Sequence, residues 1–306
     1  MHFPIAISKD TSSLANILDV PNGKACNCYC DGCKQTLIAA NNGEVRVAHF
    51  KHEKNDANCP FNTNYETYIH WLAKEIFKTL ENINLPSIRF NNLSFNHQEH
   101  TKLVNTFKKY LNDAGILESE YNSNQLSLVN TILQRSKTYK IDGWAIEQPI
   151  ETGLGKIVVD IVLQINKTQL FIEPYWTNPI SADKITKLAN YNTSTIAIDL
   201  SSFVKKQFFT IAEFTKFLEN DISSKSWTFI NTIKTAKLIS NLFSEIFKLK
   251  LEEKKIQVLK NRNISTELNK KMIEINTKEI EVIKLRQEAE DLSSKIIPIN
   301  LNDLFS

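Results

Sequence analysis

Residues 157 to 188, IVVDIVLQINKTQLFIEPYWTNPISADKITKL, constrain the fold of this chain most. Ile157, Val158, Val159, Ile161 and Val162 are β-formers, as are Phe171 and Ile172 beyond the polar turn Asn166-Lys167-Thr168. The pattern predicts two strands paired about that turn, followed by a helix. Each apolar run carries one acid, Asp160 in the first and Glu173 at the end of the second. Pairing of the strands can bring both carboxylates to one end of the hairpin. A hard divalent cation such as Mg²⁺ could be held there, with substrate phosphate filling its remaining positions. The plainer alternative leaves Asp160 at a pairing defect and Glu173 as the mark of a strand end.

The residues after the hairpin extend the unit. Asn178-Pro179 starts a turn, and Ser181 is placed to cap a helix containing Asp183, Lys184, Ile185, Lys187 and Leu188. Lys184 points either to solvent or back to the two acids. Residues 194 to 200, STIAIDL, read as a strand, and the order strand, helix, strand favours a parallel crossover. An amphipathic helix from Ile211 to Leu218 could cover the sheet.

The five cysteines all fall between residues 26 and 59, which is metal-site clustering rather than a disulfide framework. Cys30 and Cys33 form a knuckle, with Gly32 easing the turn, and can occupy adjacent corners of a tetrahedron. A strand from Val45 to Phe50 leads into His49 and His52, and Cys59 follows. Cys30, Cys33, His52 and Cys59 would close a structural Zn²⁺ site, with His49 as the substitute should Cys59 not ligate. Cys26 and Cys28 offer other pairs at a spacing less suited to a knuckle. Upstream, a strand from Pro4 to Ile7 and a loop or short helix around Leu14 to Leu18 are expected.

Residues 64 to 81 form the clearest helix. Tyr65, Ile69, Leu72, Ala73, Ile76 and Leu80 recur at three and four residues, and Asn64 suits the N-cap. Glu66, His70 and Lys74 share another stripe, four residues apart. Residues 82 to 125 read as an insertion broken by Pro86, with a helix from His97 to Leu111. Residues 126 to 150 read as strands, in which Asp142-Gly143 is either a tight turn or mid-strand. Glu151, and more weakly Asp142 and Glu147, are reserve acids. Beyond residue 225, Trp227, Phe229, Ile230 and Ile233 read as helical. Leu268, Ile275, Val282, Ala289 and Ile296 then recur every seven residues, the pattern of a coiled coil or helical hairpin.

With 306 residues the chain has room for about two domains. It has no apolar run of membrane-spanning length. No basic segment followed by an apolar block opens the sequence, so no signal peptide is expected, and a cytoplasmic setting fits. A net charge of +3 does not by itself argue for a nucleic-acid partner.

The hairpin and helix resemble the core of PD-(D/E)XK nucleases, and IEPYWTNPIS is similar to a segment of CoiA-like competence proteins. The cysteine segment resembles the zinc-finger-like N-terminus of that family, and Glu66-xxx-His70-xxx-Lys74 resembles its first-helix motif. The resemblance covers roughly residues 24 to 221, with an interruption. It implies a mixed α+β or α/β fold in three parts. These are a zinc module over 1–62, a nuclease domain over 63–221 with a helical insertion near 82–125, and a helical, coiled-coil region over 222–306. Asp160 and Glu173, with Glu66 as third, would hold Mg²⁺ or Mn²⁺. Tyr175 departs from the family's Gln and the superfamily's Lys, so Lys184 would supply the missing cation. The implied activity is phosphodiester hydrolysis of DNA, with the C-terminal helices joining two copies or a partner, as in a multi-subunit defence or DNA-processing system. The alternative is a catalytically degenerate nucleic-acid-binding or recombination accessory protein, in which Tyr175 and Trp176 stack on bases or fill a core.

Overall fold

The computed structural model describes residues 3–43, 46–54, 58–89, 132–206 and 208–241, with isolated positions between 102 and 113 and at 244. The fold is mixed α+β. Strands β1 (Ile5–Ser8), β2 (Leu14–Asn16) and β3 (Cys28–Tyr29) form a small sheet in the order β2-β1-β3. The segment expected to hold a loop or short helix thus opens as a strand. Ile5 to Ile7 offer β2 a pairing edge, and only Ile17–Asp19 turns into a short 3-10 helix. Strand β4 (Leu37–Ala40) pairs with β5 (His49–His52), which extends two residues beyond the expected end at Phe50. Val45 lies outside the described residues.

Helix α1 (Pro60–Thr63) leads directly into α2 (Tyr65–Phe77). Asn64 caps α2 by accepting from the Glu66 N–H, and Ile69, Leu72, Ala73 and Ile76 are buried along one face. Strands β6 (Asn82–Leu85) and β7 (Ile88–Arg89) bracket Pro86. They pair with β9 (Lys137–Lys140) and β8 (Ile132–Gln134) respectively, so both ends of the expected insertion are fastened by short ladders. Of the helix expected from His97 to Leu111, residues 102, 105, 106 and 109 are described and are helical.

The main sheet comes next. Strands β10 (Gly143–Thr152), β11 (Gly155–Ile165) and β12 (Thr168–Tyr175) form an antiparallel meander. Asn166 and Lys167, at φ +47° and +67°, make a two-residue turn whose backbone twist suits a hairpin. The Asp142 carboxylate accepts from the Asn166 N–H at 2.5 Å, and β10 starts at Gly143, one residue later. Helix α3 (Ala182–Tyr191), capped by the Ser181 hydroxyl, crosses over to β13 (Thr195–Asp199), which runs parallel to β12 as expected. After the short α4 (Ser201–Val204), α5 (Ile211–Asn220) begins at a Thr210–Glu213 capping box.

Strand β14 (Lys225–Phe229) completes the order β10-β11-β12-β13-β14 and corrects the helical reading of Trp227 and Phe229. Lys225, Trp227 and Phe229 are buried while Ser226 and Thr228 are not, a two-residue period that fits a strand. A helix, α6, begins at residue 232 and continues to 241. The heptad region, residues 245–306, lies outside the described residues.

One hydrophobic cluster joins Phe3, Ile5, Cys59 and Phe61 to Ile69 and Leu72 of α2 and to Ile161, Ile172 and Ile196 of the sheet. A smaller cluster under α3 holds Ile157, Val159, Val162, Phe171 and Leu188. Among the described residues, no helix is long and apolar enough to cross a membrane.

Candidate functional site

Two constellations carry chemistry. In the first, the ligand atoms of Cys30, Cys33, His52 and Cys59 all lie within 4.8 Å of one another, a group that could hold a metal ion. The Cys30 and Cys59 sulfurs are 3.6 Å apart, and the Cys33 sulfur is 3.3 Å from His52 Nε2. A tetrahedron with metal–sulfur bonds of about 2.3 Å has edges of about 3.8 Å, slightly shorter where a nitrogen replaces sulfur, so the spacing fits. The backbone N–H of Cys33 points at the Cys30 sulfur and that of Gln35 at the Cys33 sulfur, donors suited to thiolates. Lys34 supports this turn at φ +61°. A Cβ on Gly32 would sit 3.0 Å from the Phe61 ring, so a larger residue there would press on α1. Burial pushes the Cys30 and Cys33 thiols up, which favours the thiol until a cation displaces the proton.

Of the alternatives, His49 turns its Nδ1 to the Val47 carbonyl at 2.8 Å, and it does not belong to the group. Cys26 and Cys28 donate to the carbonyls of Leu37 and Cys26. The Asn62 amide nitrogen lies 3.2 Å from His52 Nδ1, the position of a residue that orients the ring.

The second constellation is built on β10, β11, β12 and α2. Ile161 pairs with Ile172, so Asp160 stands opposite Glu173, and the Asp160 N–H lies 3.4 Å from Glu173 Oε1. On the other side, Ile146 pairs with Ile161 and Gln148 with Val159, which sets Glu147 beside Asp160. The two strands share a fault at this row. Ile157 and Val159 pack in the smaller cluster, whereas Ile161, Leu163 and Ile165 pack in the main core, so β11 changes face at Asp160. Glu147, at φ +50°, makes the same change in β10. Asp160 therefore does sit at a pairing irregularity, and it meets Glu173 as well.

Lysines close the group. Lys184 reaches back from α3, with Nζ 2.5 Å from Glu173 Oε2. Lys74 of α2 places Nζ 2.9 Å from both Asp160 Oδ1 and Glu147 Oε1. Glu66 accepts from the Thr177 hydroxyl at 2.5 Å and the Thr177 N–H at 3.1 Å, while His70 Nε2 lies 3.8 Å from Glu66 Oε1. The stripe Glu66, His70, Lys74 thus lies along the acid row rather than facing open solvent.

Electrostatics divide the two central acids. Burial and the neighbouring Asp160 charge push Glu173 up to about 7, against the pull of Lys184. Burial also acts to raise Asp160, but the Lys74 ammonium outweighs it and holds Asp160 below the usual carboxylate range. Asp160 keeps its charge, and Glu173 takes the first proton. Burial lowers His70 despite the attraction of Asp160 and Glu66. For Glu66, the Thr177 donors overcome burial and hold the carboxyl down.

Tyr175 stands beside Asp199 on β13. Burial and this carboxylate, to which its phenol is hydrogen-bonded, raise the Tyr175 hydroxyl. Trp176 packs edge-on against Tyr65, which is the core-filling alternative for that residue. Glu151 is exposed and 3.8 Å from Lys156, at the far end of β10 from the acid row. Nothing in the sequence pairs Lys74 with Asp160, although its place eight residues after Glu66 puts it on the right stripe. Among the described residues, the cysteine and histidine group is the set with three or more ligand atoms in mutual reach. Asp160, Glu173 and Glu66 do not form a second one.

No family model, no curated protein and no solved structure matches this chain.

Proposed function

We infer that the chain is a metal-dependent DNA endonuclease of the CoiA-like type, a PD-(D/E)XK-like core with a structural Zn²⁺ at Cys30, Cys33, His52 and Cys59. The observation that carries this reading is the meeting of Asp160 and Glu173 across neighbouring strands, with the Lys184 ammonium 2.5 Å from Glu173. Two carboxylates suffice for Mg²⁺ or Mn²⁺ when substrate phosphate completes the shell. The bound ion would supply charge to the phosphoryl oxygens and acidify the attacking water.

The protein groups divide the remaining work. Asp160, kept ionised by Lys74, and Glu173, once deprotonated, hold the ion. Lys184 stands where it can orient the water or meet charge developing on the phosphate as the new P–O bond forms and the ester P–O bond breaks. Glu66, fixed by Thr177, lies along the same row as a further acid. The reading places the protein in the cytoplasm, acting on DNA, with the C-terminal helices joining a second copy or a partner of a defence or DNA-processing system.

The accessory reading draws on a different observation. Lys74 and Lys184 already neutralise the acids, and the Tyr175 phenol is engaged by Asp199. Cleavage of plasmid and single-stranded DNA with Mg²⁺ or Mn²⁺ separates the two. Cutting by the wild type, abolished in Asp160→Ala and Glu173→Ala, is the expected result. DNA binding without cutting under any of these conditions supports the accessory protein instead.

A further inference from the structure

Away from the acid row, a cleft of about 480 Å³ opens on the face of the sheet that carries α3. Its floor includes Val162, and three amide side chains, Gln148, Gln164 and Gln169, line it. Gln164 and Gln169 are direct cross-strand partners, so their amides stand side by side. Two aromatic residues complete the lining, Trp144 and Tyr191, and both are unusually open for their size, at 46% and 40% exposed. Tyr191 is stacked on buried Phe171, with centroids 5.7 Å apart and planes at 21°, which braces one face of its ring. Phe171 thus stiffens an aromatic surface that a flat ligand could cover.

We propose that this cleft is a nucleobase-binding slot that takes an unpaired base of single-stranded nucleic acid. The chemistry of the lining selects this ligand. An aromatic side chain stacks on any base, because every base has a π-face. Each Gln amide offers both donors and an acceptor, which matches the mixed edges of bases. A base in a duplex has neither face nor edge free, so the slot selects single strands.

The position agrees with the chemistry. Helix α3 borders both places: Lys184 near its start reaches Glu173, and Tyr191 at its end lines the cleft, seven residues or about 10 Å along the axis. A single strand held at the acid row can therefore set a neighbouring base in the slot. That link to the acids rests on the nuclease reading; the slot itself does not.

The test measures binding of the full-length protein to oligothymidylate, to an abasic oligonucleotide of the same length and to duplex DNA, all in EDTA so that no cleavage intervenes. Trp144→Ala and Tyr191→Ala should each weaken oligothymidylate binding about five- to hundredfold, the usual effect of removing a stacking partner. Trp144→Phe should retain most of the affinity, which separates stacking from misfolding. Wild-type binding to the abasic strand and to duplex should be weak and unchanged by the variants. Equal binding of oligothymidylate by wild type and Trp144→Ala overturns the proposal, as does equal affinity for the abasic strand. A proline-rich peptide that shifts the Trp144 fluorescence when oligothymidylate does not also overturns it, in favour of a peptide groove. Loss of metal-dependent cleavage with the slot intact would reject only the nuclease reading.

Discussion

At the scale of single residues, Glu173 is the most consequential group. It is 2% exposed, and its carboxyl lies at about 7 rather than the ordinary 4.5 because burial and Asp160 both resist its charge. Its folded value exceeds its unfolded one, so the stability linked to it is whole below pH 4.5 and is lost as pH rises through about 7. The loss is on the order of 3 kcal/mol. Glu173→Gln removes the titrating charge. We expect metal-free Glu173→Gln to be more stable than wild type at pH 8 by about 1–3 kcal/mol, with the gap closing by pH 5. Urea unfolding at the two pH values checks this, and an unchanged gap would mean that Glu173 is already ionised in the fold. Asp160 and Glu173 were legible as a pair from the β-patterned hairpin, because a strand acid among Val and Ile residues needs a reason. The roles of Lys74 and Glu147 were not legible, since a lysine on a helix stripe looks alike whether it meets solvent or a carboxylate from another element.

At the scale of elements, α2, α3 and the hairpin follow local rules: an Asn or Ser cap, a regular apolar face, and turn residues that accept positive φ. Strand β14 does not. Its apolar residues run on into Ile230 and Ile233, and a short apolar run has no periodicity that excludes a helix. The vacant edge of β13 decides the matter, and it draws Lys225 inside at 5% exposure. Burial pushes the Lys225 amine down to about 8, despite Asp221 and Glu219 nearby, although its Nζ donates to the Glu219 carbonyl at 2.9 Å. A lowered lysine penalises the fold at full strength below about 8, and the penalty fades as pH rises towards 10.5. Wild-type stability should therefore rise between pH 8 and 10. Lys225→Met should be more stable than wild type at pH 7 by about 1–3 kcal/mol and lose that advantage at pH 10, as read by denaturant unfolding. A destabilised Met variant would show that the carbonyl bond outweighs desolvation.

At the scale of the whole molecule, the metal group and the sheet share one core. Cys59 opens directly into α1, and Phe61 packs on Tyr68 and Trp71 of α2, with ring centroids 5.5 and 5.2 Å away. The Tyr68 hydroxyl donates to the Ile5 carbonyl at 3.0 Å and accepts from the Ile5 N–H at 3.2 Å, tying β1 to the same helix. Loss of the ion should therefore be felt in α2 as well as in the knuckle. We expect the purified protein to carry a single Zn²⁺ by atomic emission, and chelation to lower the melting temperature and the near-ultraviolet dichroism of the Tyr68 and Trp71 cluster. Cys59→Ser should reproduce the effect. A chain that holds no zinc and melts unchanged in chelator would reject the structural metal.

The sequence alone determined the pieces whose cause is local. These are the cysteine knuckle, the α2 periodicity, the capped α3 and the pair of β-runs with their two acids, since spacing and chain geometry define them within a few residues. Only the tertiary structure decided that His52 and Cys59 complete the knuckle while His49 turns away. It also decided that Lys74 meets Asp160, that β14 is a strand and that Trp144 comes to share a cleft with Tyr191. Each of these depends on contacts between segments far apart in the chain, and such contacts are selected by the free energy of the whole core rather than by the residues on either side.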